Sequence, residues 1–324
     1  MTPKRIAFCA MLFAAGLAFS LAAHAQDYPA KLVKVIVPVP PGGGPDVFAR
    51  MLVERLADKW GQPVIVENRV GAAGNIGLEA ASKAAPDGYT LVFAHQPPLV
   101  INKSLYKKLS YDPDAFAPIS VVVAVPMVAV VHPKVPVQNV QQLIDYAKAN
   151  PDRLNYASAG SGSTPHLAVE FFKSRTGARI VHVPYKGNAP AVGDLLGGQV
   201  DLMMLDLGSV LQHIRSGKLR GLAVLTERRN PALPDVPAMA ELLAGFVVSP
   251  WWGMVAPPKT PAAITEKVSA TVAEALKRPD VAKRLAEMGN LAAVGSTPAE
   301  MAQFLKLERE RWGNLIRAIG ATAD

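Results

Sequence analysis

The chain has 324 residues, a formal net charge of +8 and one cysteine, Cys9. A lone cysteine excludes disulfides and cysteine metal clusters. The basic residues are scattered, with Lys107-Lys108 and Arg228-Arg229 as close pairs, so the basic stripe that nucleic-acid binding needs is absent and a mild field favouring small anions remains.

Residues 1–25 read as an export signal. Lys4 and Arg5 precede the apolar run IAFCAMLFAAGLAFSLAA, and Ala23-His24-Ala25 places small residues at a cleavage site. Cys9 lies inside that run, so the mature chain has no thiol, and no later apolar run approaches the ~20 residues of a membrane span. The rest is long enough for two domains.

From residue 32 strands and helices alternate. LVKVIVPV is a β-branched run that predicts a buried strand. The spacing of Phe48, Leu52, Leu56 and Trp60 predicts a helix over 46–60 with one core-facing stripe. Strands follow at 63–68 and 90–95, around a helix near 76–84. This β-α-β order predicts a parallel sheet with helices on both faces. The same order restarts after residue 126, with strands at 154–158, 179–185, 200–205 and 219–226 separated by helical stretches. The run VVVAVPMVAVV (121–131), broken by Pro126, suits a strand passing from one domain into another. WWGMVAPP (251–258) reads as a strand returning to the first half. Thr297-Pro298-Ala299-Glu300 is a capping box that opens a helix running to about Gly320. The expected division is 26–125 with 246–324 as lobe I and 126–245 as lobe II, two α/β lobes around a hinged cleft.

Catalytic patterns are missing. Past residue 25 the histidines are His95, His132, His166, His182 and His213, none paired at i, i+4, so no metal site has local support. There is no G-x-S-x-G elbow and no P-loop lysine, and GAAGNIG (71–77) has the wrong glycine spacing for a dinucleotide. No cofactor is expected. GSGSTPH (160–166) only superficially resembles a serine site, because His166 falls on the helix that opens there.

What recurs instead is a strand, a loop of small residues and a helix start. It occurs at PVPPGGGPD (38–46), SAGSGSTP (158–165), more loosely at YKGNAP (185–190), and with a fourth glycine-rich entry at GAAGNI. Exposed N–H groups at helix starts, aided by the macrodipole, bind anions, and glycine lets an anion approach the backbone. The candidate ligand residues are therefore Gly42, Gly43, Gly44, Asp46, Asn75, Ser158, Gly160, Ser161, Gly162, Ser163, Thr164, Tyr185, Lys186 and Gly187. His95 and Asp206 join them at strand ends. Each loop also has a plain reading as a turn, with Asp46, Thr164 and Asp206 as helix N-caps; Trp251 and Trp252 read as hinge packing.

These stretches resemble a known family. PGGGPDVFAR, VENRVGAAGNIG, PDGYTL, YASAGSGSTPHLAVEFF, HVPYKGNAPAVGDLLGGQVDLM and GKLRGLAVLTERRNPALPDVPAMAE are similar, in order, to the periplasmic solute-binding receptors of tripartite tricarboxylate transporters, often called the Bug family. The resemblance implies a type II periplasmic-binding-protein fold and a periplasmic, monomeric, non-catalytic receptor that closes on a small carboxylate and delivers it to membrane transporter subunits. It implies that backbone groups and waters grip the carboxylate through 42–46, 158–164 and 185–187. A ligand sensor for a membrane signalling partner is the alternative, and an enzyme on the same fold the third reading. The chain departs from the family pattern at LDLG (205–208), in place of FDN, and at HQPP (95–98), positions that bear on what the far end of the ligand meets.

Overall fold

The computed structural model describes residues 28–289, 291–320 and 322. The export signal expected at 1–25, Cys9 included, lies outside the described residues. In chain order the elements are β1 (Val33–Val37), α1 (Gly44–Trp60), β2 (Val64–Asn68), α2 (Asn75–Ser82), β3 (Thr90–His95) and β4 (Ala117–Ala124). Next come β5 (Met127–Val131), α3 (Val140–Ala149), β6 (Asn155–Ser158), α4 (Thr164–Thr176), β7 (Val181–Pro184) and α5 (Asn188–Leu196). β8 (Leu202–Asp206), α6 (Leu207–Arg215) and β9 (Arg220–Val224) complete that stretch. The chain then returns through β10 (Trp251–Ala256), α7 (Ala262–Leu276), α8 (Pro279–Glu287), β11 (Ala292–Ala293) and α9 (Pro298–Ile319).

The strands form two sheets, in the orders β11-β4-β10-β3-β1-β2 and β7-β6-β8-β5-β9. Setting β11 aside, the two orders are the same. In each, the place beside the third parallel strand is held by a strand that has just crossed from the other lobe. The parallel sheet expected from the β-α-β order is present in both lobes, β1 with β2 and β3, and β6 with β7 and β8. The crossing strands run the other way: β10 is antiparallel to β3 and β4, and β5 to β8 and β9. A strand that crosses enters at the cleft edge, where its parallel neighbours end, so it has to run the other way.

The two crossings are tied together. Val125 N–H donates to Pro250 O at 2.7 Å, Ser249 Oγ donates to Val125 O, and Leu207 N–H donates to Pro126 O. Pro126, which has no N–H to give a ladder, separates β4 from β5.

On one face of the first sheet the expected stripe Phe48, Leu52 and Leu56 is buried with Phe93, Met254 and Val268. Full burial of each such side chain stabilises by roughly 1.5–3 kcal/mol. Trp60 ends the stripe only half-buried, its Nε1 donating to Thr271 Oγ1. A second core runs continuously across the crossings, from Val121 and Trp251 to Met127, Phe172 and Phe246. α9 closes it with Trp312, and its capping box is formed as expected, Thr297 accepting from Glu300 N–H. Among the described residues no helix is long and apolar enough to cross a membrane.

Candidate functional site

Between the sheets lies a cavity of about 440 Å³. Helix starts reach it from both lobes: Gly44 and Pro45 of α1, Thr164 and Pro165 of α4, Asn188 of α5, and Asp206 ahead of α6. The first three helices have no side-chain cap; their N-cap positions are held by Gly43, Ser163 and Gly187. Asp46 and Thr164 therefore do not cap, contrary to the sequence expectation. Asp46 sits in the first turn of α1 and Thr164 is the first residue of α4. Because the strands of an open α/β sheet point their carboxyl ends at the cleft, the helix that follows each strand begins there. Its unpaired N–H groups and positive dipole end then face one space.

The loop before α1 is held by Asp46. Its Oδ2 accepts from Gly42 N–H at 2.8 Å and Arg50 Nε at 3.0 Å, and its Oδ1 accepts from Asn68 Nδ2 at 2.7 Å. Burial alone would raise the carboxyl's pKa, but these donors outweigh it and hold the group below its ordinary value. Gly42 lies at φ +82°, a left-handed conformation that glycine accepts without strain. Gly43 does not need glycine for its backbone, since φ is −69°.

The loop 158–164 rests on a stack of rings. Tyr156 and His182 have centroids 4.8 Å apart, and His182 and His166 4.4 Å apart. Ser158 Oγ meets His182 Nε2 at 2.7 Å and accepts from Gly160 N–H at 3.1 Å. Ser163 Oγ donates to Gly160 O, and His166 Nδ1 accepts from Gly162 N–H at 3.2 Å. Glu170 accepts from both Tyr156 OH and Lys173. Burial, then the neighbouring His166, pushes the His182 imidazole down to about 4; burial also lowers that of His166. The pair with a serine thus involves His182 from the next strand, not His166. Ser158 is 0 % exposed, so its hydroxyl braces the loop and cannot reach a bound molecule. Ser161 is exposed at the tip of this loop.

In the third loop Tyr185 OH donates to Asp194 Oδ2 at 2.7 Å, Gly187 has φ +110°, and Lys186 is exposed. Asp206 caps α6: its Oδ2 accepts from Ser209 N–H and from the Ser209 hydroxyl, and its Oδ1 accepts from Asn188 Nδ2 at 3.0 Å. Asn188 Oδ1 is buried and has no partner.

Of the sequence candidates the cavity lining holds Gly44, Thr164 and Asp206. The others in the three loops stand behind it, and Asn75 and His95 belong to none of those loops. Asn75 is nearly buried, its Oδ1 accepting from Asn102 Nδ2 and Tyr111 OH. His95 has an unpartnered, sealed Nδ1, and burial drives its imidazole down to about 4. Its neighbour Gln96 is buried and donates to Glu308.

Of the apolar walls of the cavity, the sequence points to Trp252 alone, and to that as hinge packing. Trp252, Met127, Val125 and Pro250 come from the crossings, Met288, Gly289 and Leu291 from the segment after α8. Trp251 does pack into the core behind the crossing, but Trp252, next to it on β10, faces the cavity. It lies against Phe48 and Phe93, and a β-carbon on Gly44 would come within 3.3 Å of its ring. Gly208 and Gly289 meet across the cleft, where a β-carbon on Gly208 would lie 2.9 Å from Gly289 Cα.

Comparison with known proteins places the chain. Residues 48–321 match the model of the tripartite tricarboxylate transporter family receptor. Protein BugT of Bordetella pertussis is 41% identical over 313 residues, covering 96% of each chain. A structure of R. palustris Rpa4515 with adipate is 34% identical, with a TM-score of 0.75, covering 91% of this chain and 99% of that one. MatC from Rhodopseudomonas palustris, with bound malate, is 32% identical with a TM-score of 0.71, covering 89% and 100%.

Proposed function

Because the chain belongs to the tripartite tricarboxylate transporter receptor family, we propose that it is an exported, periplasmic binding protein that captures a small carboxylate in the cleft and presents it to the membrane subunits of such a transporter. It acts as a monomer and does no chemistry on what it binds. The ligand's carboxylate is held by the loops 42–46, 158–164 and 185–187, and the lobes, divided near 125/126 and 245/246, close on it by bending at the paired crossings.

One observation carries this reading. Three uncapped helix starts converge on a single cavity whose lining contains no lysine, arginine or histidine. Backbone N–H groups at such starts take an oxyanion without a cationic side chain, as the bound adipate and malate of the relatives make reasonable here.

Titration calorimetry over a panel of mono-, di- and tricarboxylates, sugars and cations tests it. A carboxylate should bind at micromolar Kd or tighter, about −8 kcal/mol. Binding of sugars or cations with no response to any acid would sink the reading.

A further inference from the structure

Where α5 and α6 begin, the same cavity also presents side chains of the opposite character to the free N–H groups. Asp206 and Asn188 sit together on its lining. Asp206 Oδ1 accepts from Asn188 Nδ2, and that bond fixes which way the amide points. Turning the amide over would set its oxygen against the carboxylate, acceptor against acceptor. The unpartnered atom is therefore the oxygen, Asn188 Oδ1. A buried acceptor with no donor is costly. The oxygen is sealed in this conformation, and a ligand whose donor displaces the atoms that cover it removes that cost. Beside it stands the single carboxylate of the lining, with no cationic side chain among the lining residues to balance it. The remaining walls, Trp252, Met127, Met288 and Leu291, are apolar.

We infer that the ligand carries one carboxylate for the helix starts and, a few bonds away, a hydrogen-bond donor for Asp206 and Asn188. Its class is an amino acid or hydroxy acid with an apolar remainder, not a plain di- or tricarboxylate. Asp206 and Asn188 are thus specificity-determining residues. The second carboxylate of a dianion would meet the Asp206 charge and find no cation on the lining, whereas an ammonium or hydroxyl would satisfy both acceptors. The inference rests on the carboxylate-receptor reading above and narrows it.

Calorimetry with three ligands of one carbon skeleton, leucine, 2-hydroxy-4-methylpentanoate and 4-methylpentanoate, tests it, with the dianions isopropylmalonate, adipate and malate alongside. The amino or hydroxy acid should bind at least tenfold tighter than the unsubstituted acid and than isopropylmalonate or adipate. In Asp206→Asn that preference should shrink at least tenfold while dianions gain affinity. Asparagine is as good an N-cap as aspartate, so α6 keeps its cap. The wild-type ranking decides even if the variant does not fold. If plain monocarboxylates or dianions bind wild type as well as or better than the substituted acids, or if the ranking survives in a folded Asp206→Asn, the inference is overturned and the receptor reading stands. If no acid binds at all, both fall.

Discussion

The helices of this protein begin in two ways. Away from the cavity lining, α3 and α9 start with a side chain that closes the first turn: Asn139 accepts from Gln142 N–H, and Thr297 from Glu300 N–H. At the cavity, α1, α4 and α5 start from Gly43, Ser163 and Gly187, with no side chain on their first N–H groups. Each of these three also carries a proline within its first three residues, Pro45, Pro165 and Pro190, which removes one donor without cost at a helix start. The difference teaches where the binding capacity comes from. Capped starts have spent their donors on the fold and uncapped starts have not. Since α2, α7 and α8 are also uncapped but do not line the cavity, what sets α1, α4 and α5 apart is that their free starts converge on one space. α6 marks the boundary between the two kinds, reaching the cavity yet capped by Asp206, so that side offers acceptors.

The sharpest way to break this comparison is to convert one kind of start into the other. Gly43 has an extended backbone, and a β-carbon there would meet only Pro40 O, at 3.4 Å. Gly43→Asp should therefore fold and cap α1 itself. The expected outcome is a gain of ~0.5 kcal/mol in unliganded stability from the cap and dipole, together with a loss of carboxylate affinity of 100-fold or more. Two charge-assisted bonds at roughly 1.5–3 kcal/mol each account for that loss, and Gly43→Ser, capping without charge, should fall between. The converse change, Thr297→Ala, should cost about 1 kcal/mol of stability and leave calorimetric affinity unchanged. Equal binding by Gly43→Asp and wild type would show that the α1 start does not hold the ligand.

Much of this was legible in the sequence, and the reasons differ by residue. The strand β5 is an unbroken apolar run, and β1 and β8 are nearly so, β1 interrupted by Lys34 and β8 ended by Asp206, a pattern that burial on both faces forces. The Thr297–Glu300 box is local chemistry, four residues long, and needs no tertiary context. The glycine loops at 42–44 and 158–164 were visible because positive φ at Gly42, Gly160 and Gly162 leaves a compositional mark. The cavity walls left none. Met127, Trp252 and Leu291 are apolar residues near strand ends, indistinguishable in sequence from core, and only the meeting of two lobes decides that they face a space. The antiparallel place of β10 was hidden for the same reason, since its partners β3 and β4 are more than 120 residues away in the chain. Asn188 looked like an ordinary helix start until Asp206 fixed its amide.

A smaller effect should appear with pH, because one of the two uncapped loops in lobe II leans on imidazoles. His182 has its pKa lowered to about 4 by burial first and His166 second, from an ordinary 6.5. Glu170, Lys173 and Tyr156 are the other ionisable groups around the pair. With the folded value depressed, the unfolded chain takes up a proton that the folded chain refuses between pH 6.5 and 4. Stability is therefore fully present above about 6.5 and is lost as pH falls towards 4. Urea unfolding from pH 7 to 4.5 should show this decline, and His182→Asn should flatten it in part, leaving the share of His95, which is depressed to the same degree. Carboxylate affinity should weaken once folded His166 takes up its proton, at a pH below its ordinary 6.5 because burial lowers its pKa, since a protonated His166 can no longer accept from Gly162 N–H. Parallel stability slopes in wild type and His182→Asn would remove the stack from this role.

The smallest change should come from the nearest cation. Lys186 belongs to the third loop, one residue before the Gly187 that opens α5, and a positive charge beside a presumed anion site is the obvious rival to bare backbone. Its side chain is exposed and does not line the cavity. An exposed ion pair is worth ~1 kcal/mol or less, so Lys186→Ala should weaken carboxylate binding less than about fivefold, and the difference should vanish at 0.5 M salt, where surface charges are screened. Gly43→Asp should lose its affinity at both salt concentrations, because its loss comes from donors already spent inside the fold. If a folded Lys186→Ala abolishes binding while Gly43→Asp keeps it, the anion site moves to the lysine, and the glycine loops that set α1 and α4 apart from α3 and α9 are turns and nothing more.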